Sequence, residues 1–489
     1  MSAPRRFEYD LVCIGSGPAG QRAAVQAAKL GKRVAVIERR NLFGGVCIET
    51  GTIPSKTFRE AVKSYVRVQQ SSAAFGFRLP KRPSAEMLLQ RVSGVVHGEA
   101  DTVVEQLQRN DVELIQGAAS FVDEHTLKVQ GPTGERIVTT SNTLIAVGTR
   151  PANPDGVETD GEVILTSDHV PRLDRLPRTL AVVGSGVIGV EYASMFAALG
   201  VKVTLIDKRE RPLEFLDREI SDELVHRMRA NHVTFLGGEA VEEIAVLEGT
   251  PKRGGILLES GKCIVADAIL FSVGRQAATD TLGLENIDLK PDKRGRISVG
   301  EHYQTDVPGV FAAGDVIGYP ALAATSSEQG RLAACRMFGL PAPPMAEHYL
   351  VGIYAIPEVS MVGATEEELT REKVPYETGV ARFGEIARGQ ILGDDSGFFK
   401  MIFHRHERTL LGIHCIGTGA TELVHVGQAV LALGGGLDYF VDNVFNYPTL
   451  AECYKVAAFN ALNKIQTAEA FDRLKSGKER RKEPRIDAA

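Results

Sequence analysis

The stretch Tyr9-Asp10-Leu11-Val12-Cys13-Ile14-Gly15-Ser16-Gly17-Pro18-Ala19-Gly20 decides the fold. Its opening apolar run suits a buried parallel strand, which is hydrophobic throughout rather than alternating. The run enters a Gly-x-Gly-x-x-Gly loop and then an Ala-rich helix over 21–30. A second apolar run over 33–37 ends at Glu38. This is the βαβ pattern of a dinucleotide site. Gly15 makes the tight turn, Gly17 lets the backbone approach a pyrophosphate, and Gly20 lets helix pack on strand. The phosphates then sit on the helix N-terminus, where unpaired N–H groups and the dipole favour anions. Glu38 is placed to accept hydrogen bonds from an adenosine ribose.

One glycine motif is weak evidence, because glycine turns are common. Here the whole unit recurs. Thr179-Leu180-Ala181-Val182-Val183 leads into Gly184-Ser185-Gly186-Val187-Ile188-Gly189, then a helix to Leu199 and a strand over 202–206 ending at Asp207. The repeat predicts two dinucleotide-binding domains. Between them the pattern predicts a helix over about 84–109 and short strands at 112–115 and 126–129. Further strands end at Gly148, at Gly274-Arg275 and at Gly314-Asp315. Beyond His348 come strands at 401–403 and 410–415 and helices at 422–433 and 450–462. Residues 467–489 are charge-rich and read as a frayed helix or solvated tail.

A chain of 489 residues exceeds one core and suggests about three domains. The net charge of −6 offers no electrostatic footprint for nucleic acid. Cysteines 13, 47, 263, 335, 415 and 453 lack metal-ligand spacing, and such sparse usage fits a reducing cytosol. The polar stretch 1–10 does not read as a signal peptide. No apolar run approaches the roughly 20 residues that span a bilayer. A soluble cytoplasmic protein, with neither nucleic acid nor membrane as partner, is expected.

The segment Gly44-Gly45-Val46-Cys47-Ile48-Glu49-Thr50-Gly51-Thr52-Ile53-Pro54-Ser55-Lys56 resembles the active-site segment of the flavin-dependent disulfide reductases. In that family two cysteines form a redox disulfide beside the flavin. Here the first is Cys47, but the second position holds Thr52, and a hydroxyl cannot store two electrons as a disulfide does. The family also carries His-Pro-Thr-x-x-Glu near its C-terminus, where the histidine is an acid/base for thiol chemistry in the partner subunit's site. This chain reads Tyr447-Pro448-Thr449-Leu450-Ala451-Glu452. A phenol of pKa about 10 is a poor substitute for imidazole at neutral pH. The joint loss resembles the transhydrogenase branch of the family, and the resemblance covers roughly residues 8–466.

The resemblance implies that the first unit binds FAD and the second binds NAD(P)H. It makes Gly314-Asp315 the second FAD motif, with Asp315 on the ribityl chain. The helix starting near Leu322-Ala323 would point its N-terminus at the flavin N1–C2=O edge. Lys56 matches the lysine beside flavin N5 and Glu191 its ion-pair partner, while Val187 stands where glutathione reductase has a gating tyrosine. Arg39, Gly45, Gly148, Gly274 and Arg275 join the cofactor-binding set. Asp207 is expected on the NAD ribose hydroxyls, and Lys208 or Arg209 on the NADP 2′-phosphate. The catalytic set is Lys56, Glu191, Thr52 and Cys47. A lone Cys47 cannot cycle as a disulfide. Glu422-x-x-His425 has helical spacing for a metal but reads better as a polar pair, so no metal is expected. His414-Cys415 reads as buried strand.

The expected architecture is α/β: two Rossmann-like domains for FAD and NAD(P) plus a C-terminal α+β dimerisation domain. The FAD domain takes 1–150 and 276–347, the NAD(P) domain 151–275, the dimerisation domain 348–466, and the charged tail 467–489. The expected activity is ping-pong hydride transfer between NADPH and NAD⁺ in a homodimer or larger homo-oligomer. The alternatives are a quinone reductase or oxidase, a lipoamide dehydrogenase, or a flavoprotein partner of a multienzyme complex.

Overall fold

The computed structural model describes residues 6–72, 75–77, 82–153 and 157–480, leaving aside the side chains of 472–480. β1 (Leu11–Ile14) is buried at every position and enters Gly15 at φ +108°, a conformation that a side chain disfavours. α1 (Pro18–Lys29) starts with proline in its first turn and buries a stripe of alanines. β2 (Val34–Glu38) returns parallel to β1, Leu11 opposite Val34. The next helices are α2 (Gly45–Glu49), α3 (Thr52–Ser72) and α4 (Ala85–Gln108). Ser84 caps α4, accepting from Met87 N at 3.1 Å. β3 (Glu113–Gln116) adds to β2, and β4 (Thr143–Ile145) to the other side of β1.

The second glycine unit follows as β5 (Thr179–Val183), α5 (Val187–Ala198), β6 (Lys202–Asp207) and α6 (Arg218–Ala230). β6 and β7 (Ala268–Phe271) flank β5 in parallel. β8 (Val310–Ala312) then completes the first sheet in the order β8-β4-β1-β2-β3, and α7 (Ala323–Met337) follows it. The C-terminal part holds β9 (Val351–Ile353), β10 (Val359–Gly363), α8 (Glu366–Glu372), β11 (Tyr376–Arg382), β12 (Phe398–His404), β13 (Leu410–Ile416), α9 (Ala420–Ala432) and α10 (Glu452–Arg480). Its sheet is antiparallel, in the order β9-β10-β13-β12-β11.

The described residues divide into two compact units. One takes those up to Gly184 with 198–208 and 239–346; the other takes 185–197, 209–238 and those from 347 onward. In the first unit the nucleotide sheet is clamped by glycines. A Cβ on Gly20 would lie 2.0 Å from Gly15 O, and one on Gly330 2.0 Å from Ala19 O. α1 therefore lies against the loop at the end of β1, and α7 against α1. In the second unit Phe399, Met401 and Phe403 of β12 face Tyr454, Ala457 and Ala461 of α10 in one apolar core. Tyr454 stacks on Phe440 at 5.2 Å between ring centroids. Its hydroxyl donates to Leu423 O at 2.8 Å and accepts from Gly427 N at 2.9 Å, so the buried phenol is satisfied.

Two helices that the periodicity did not isolate, α2 and α3, carry Cys47 and Lys56. Small antiparallel sheets over 118–139 and 241–266 were also not separated. α10 continues through the stretch read as a frayed helix or tail as far as Arg480; residues 481–489 lie outside the described residues.

The glycine clamp makes a contrast testable. Gly330→Ala should lower stability by about 1–3 kcal/mol through backbone overpacking. Gly94→Ala, mid-helix in α4 with nothing within 4 Å of the new carbon, should raise it by about 0.5–1 kcal/mol. Thermal unfolding followed by circular dichroism reads both.

Candidate functional site

The first glycine loop is held by one serine. Ser16 N donates to Glu38 Oε2 at 3.0 Å and Ser16 Oγ to the same oxygen at 2.6 Å, while Gly44 N donates to Ser16 Oγ at 2.7 Å. Arg40 N donates to Glu38 Oε1 at 2.9 Å. The buried carboxylate is thus pinned at the end of β2, where the ribose acid was expected, and also braces the loop. The three glycines divide the work as their spacing implied. Gly15 and Gly20 are sterically locked, whereas a Cβ on Gly17 would meet nothing within 4 Å. That open space above the start of α1 is where a pyrophosphate needs backbone access. Gly45, at φ +64°, packs against Gly17 Cα. Arg39 is exposed.

α2 and α3 bring the next group together. Cys47 is a free thiol, five positions before Thr52 at the start of α3. Burial pushes the thiol pKa up; the Thr52 hydroxyl and the Lys56 charge oppose this, but the net direction is upward. Lys56, one turn into α3, donates to Ser55 Oγ at 3.3 Å. Glu49 of α2 is gripped by Arg40 Nη1 at 2.6 Å and Arg172 Nη2 at 3.3 Å.

A third group gathers at the ends of β4 and β8. Arg275 Nε donates to Thr149 Oγ1 at 2.7 Å and its Nη2 to Thr149 O at 2.9 Å. Thr149 Oγ1 in turn donates to Asp315 Oδ2 at 3.3 Å, and Ser326 Oγ of α7 donates to Asp315 Oδ1 at 3.3 Å. Burial lowers the Arg275 pKa, with Asp168 and Asp315 opposing. Gly314 turns at φ +84° and donates its N–H to Gln329 Oε1 at 2.8 Å. Gly148 and Gly274 also have positive φ and open surroundings. α7 begins after Leu322 at Ala323, with Thr325 Oγ1 donating to Pro320 O at 3.0 Å.

At the second loop, Gly184 turns at φ +102° with its Cβ position 2.9 Å from Ser272 O. Gly186 is open, and Gly189 is buried on α5. Glu191, also buried on α5, accepts from Tyr354 N at 2.8 Å. Asp207 ends β6 and is buried, and Lys208 is exposed. Arg209 O accepts from Gly238 N at 3.0 Å. Near the C-terminus Tyr447 is 67% exposed, while Glu452 Oε2 is buried without a hydrogen-bond partner among the described residues. His414 and Cys415 are fully buried strand residues. His425 Nδ1 meets Gln428 Oε1 at 2.9 Å.

Ser16, Thr149, Gln329 and Asp168 escaped the sequence reading. Ser16 fills an unspecified position of its motif, and the others lie far from their partners in the chain.

Two glycine loops, an acid closing each, and a Gly-Asp turn feeding a helix define a flavin- and nicotinamide-dependent oxidoreductase. A family model described as pyridine nucleotide-disulphide oxidoreductase matches residues 9–330, and the dimerisation domain of that family matches 351–458. The chain belongs to this FAD-dependent family. Among its relatives is the soluble pyridine nucleotide transhydrogenase of Mycobacterium tuberculosis (strain ATCC 25177 / H37Ra), 50% identical over 95% of this chain and 100% of the relative. The protein of the same name from Hahella chejuensis is 46% identical over 94% of this chain and 99% of its own. Among solved structures, the HOCl-induced flavoprotein disulfide reductase RclA from Escherichia coli superposes with a TM-score of 0.83 at 27% identity, over 92% of this chain and 99% of that one. LpdA from Mycobacterium tuberculosis gives 0.84 at 24%, over 92% and 98%, a likeness of fold. The residues present fit FAD: the space over Gly17 lies free, and the buried Thr50 hydroxyl beside α2 lacks a partner among the described residues.

The burial of Cys47 predicts slow alkylation. With its thiol pKa raised, Cys47 is mostly neutral at pH 7–8, so iodoacetamide should label it more slowly than exposed Cys263 and faster as pH rises. Thr52→Val removes a hydroxyl that lowers the pKa, so labelling should slow further. Peptide mass mapping of the holoenzyme reads both.

Proposed function

We propose that this protein is a soluble pyridine nucleotide transhydrogenase, which passes hydride between NADPH and NAD⁺ with Si-face stereochemistry and no dithiol relay. The observation that carries the reading is Thr52 standing five positions after Cys47, where the family's pattern would have a second cysteine to complete a disulfide. Exposed Tyr447 in place of the family's histidine supports it, since thiol chemistry has no base there. The names of relatives half identical over their full length agree.

FAD, when bound, supplies the centre that accepts and returns the hydride. The chain's own residues hold and orient. Ser16 and Glu38 fix the first glycine loop, α1 presents its N-terminal N–H groups to phosphates, and Asp315 with Arg275 and Thr149 holds the ribityl side. Gly45, Gly148 and the start of α7 at Leu322 and Ala323 line the cofactor, with Arg39 at its adenosine end. Lys56 would supply fixed positive charge beside the flavin, and Glu191 is carried over from the family's pattern as a second catalytic residue. Cys47 stays a neutral thiol.

The nicotinamide nucleotides use one site in turn. NADPH gives up its hydride and leaves as NADP⁺; NAD⁺ then enters and leaves as NADH. Gly184, Gly186 and Gly189 admit the pyrophosphate, with Gly274 nearby, Asp207 takes ribose hydroxyls, and Lys208 or Arg209 meets the 2′-phosphate. Catalysis is orientation and electrostatics. The domains proposed are 1–150 with 276–347 for FAD, 151–275 for NAD(P), and 348–466 for a homodimer contact in a cytoplasmic enzyme.

Anaerobic mixing of the holoenzyme with NADPH and thio-NAD⁺, without thiol or disulfide, should yield thio-NADH. Bleaching of the flavin by NADPH without turnover would sink the reading, and quinones, oxygen and disulfides would then be tested as oxidants. Arg209→Ala should raise KM for NADPH about 10- to 100-fold, the loss of about 1.5–3 kcal/mol from a charged hydrogen bond, and leave NADH nearly unaffected. Steady-state kinetics with both nucleotides checks this.

A further inference from the structure

Lys400 stands in the middle of β12 with no exposed side-chain surface. Its neighbours Phe399 and Met401 face the apolar core under α10, so strand alternation sends Lys400 to the opposite face. His414 is its direct cross-strand partner there. The same face receives the N-terminus of α6. Lys400 Nζ donates to Asp217 Oδ1 at 2.9 Å and Oδ2 at 3.1 Å, to Glu219 Oε2 at 2.8 Å, and to Glu366 Oε1. The ammonium thus sits among the single group of carboxylates with metal-ligand spacing found in the described residues. Burial works against its charge, but the three carboxylates outweigh it and hold its pKa above the ordinary lysine value. Burial lowers the pKa of His414, so no second cation competes.

Asp217 also caps α6, accepting from Glu219 N at 3.2 Å. It closes the loop 209–216, which begins with Arg209. That loop is pinned in its middle: Leu213, at φ +51° and fully buried, donates its N–H to the Ser185 carbonyl of the second glycine loop at 3.2 Å. Pro212 O accepts from Ser221 Oγ of α6 at 2.9 Å. The loop between Arg209 and the glycine loop is therefore braced at one end by a lysine nearly two hundred positions further along the chain.

We propose that Lys400 is a positioning residue for nicotinamide nucleotide binding: it clasps Asp217 at the start of α6 and so holds the loop carrying Arg209 against the second glycine loop. This rests on the reading of that loop as the nucleotide's 2′-phosphate site. A lysine that served stability alone would change melting temperature and flavin content without changing nucleotide affinity at saturable flavin.

The test uses the holoenzyme under anaerobic stopped flow, following flavin bleaching against NADPH and against NADH. Two variants are compared with the unaltered protein: Lys400→Met and Asp217→Asn, the second retaining a helix-capping acceptor. The half-saturating NADPH concentration should rise about tenfold in Asp217→Asn and more in Lys400→Met. The limiting bleaching rate and FAD content should stay as they were, and NADH should be affected less. An unchanged half-saturation in folded, flavin-replete Asp217→Asn would overturn the clasp's role, whether or not Lys400→Met folds. A fall in limiting rate with no change in half-saturation would also overturn it. Unaltered holoenzyme that neither nucleotide bleaches would overturn the functional reading itself, and the clasp's role with it.

Discussion

A hydrogen atom in place of a side chain, at Gly20 and again at Gly330, sets the geometry of the nucleotide-binding core. At each position a Cβ would sit 2.0 Å from a backbone oxygen, well inside any tolerable contact. The absence of that carbon lets α1 lie on the loop leaving β1, and lets α7 lie on α1. The N-terminus of α1 faces the open space over Gly17, and α7 carries Ser326 and Gln329 to the Gly314-Asp315 turn. A side chain at either glycine would separate layers that helix propensity alone cannot hold together.

Around this stack the polar groups are organised in closed sets, as low dielectric demands. Glu38 is satisfied by Ser16 and the Arg40 amide, and Asp315 by Thr149 and Ser326. Lys400 is satisfied by three carboxylates in the other unit. Each set ties together segments remote in sequence. Burial, not a charged partner, decides the state of Cys47: it raises the pKa of the thiol and keeps it neutral.

The glycine loops, the acids that end their second strands and the Gly-Asp turn were legible because each is a local pattern with a local cause: a turn, a close approach, a strand end. Residues acting through long-range contacts were not. Ser16 lies at an unspecified position of its motif. Thr149 meets Arg275 because 149–151 and 275–277 pair as an antiparallel ribbon, and Asp315 because β4 and β8 are neighbours in the sheet. Lys400 misleads more actively. In Phe398-Phe399-Lys400-Met401-Ile402-Phe403 a period-two reading assigns it to a solvent-facing row, yet it is fully buried because α6 and α8 supply its carboxylates from elsewhere in the chain.

By itself the sequence determined that two dinucleotide units recur, which residues close them, and that Cys47 has Thr52 rather than a second cysteine. These follow from residue identity and spacing over a few turns of chain. The tertiary structure decided which oxygen each acid offers, that burial raises the Cys47 pKa, and that Lys400 braces α6. Those outcomes depend on which faces become covered and which charges meet out of water, and no local pattern encodes a contact between residues 217 and 400.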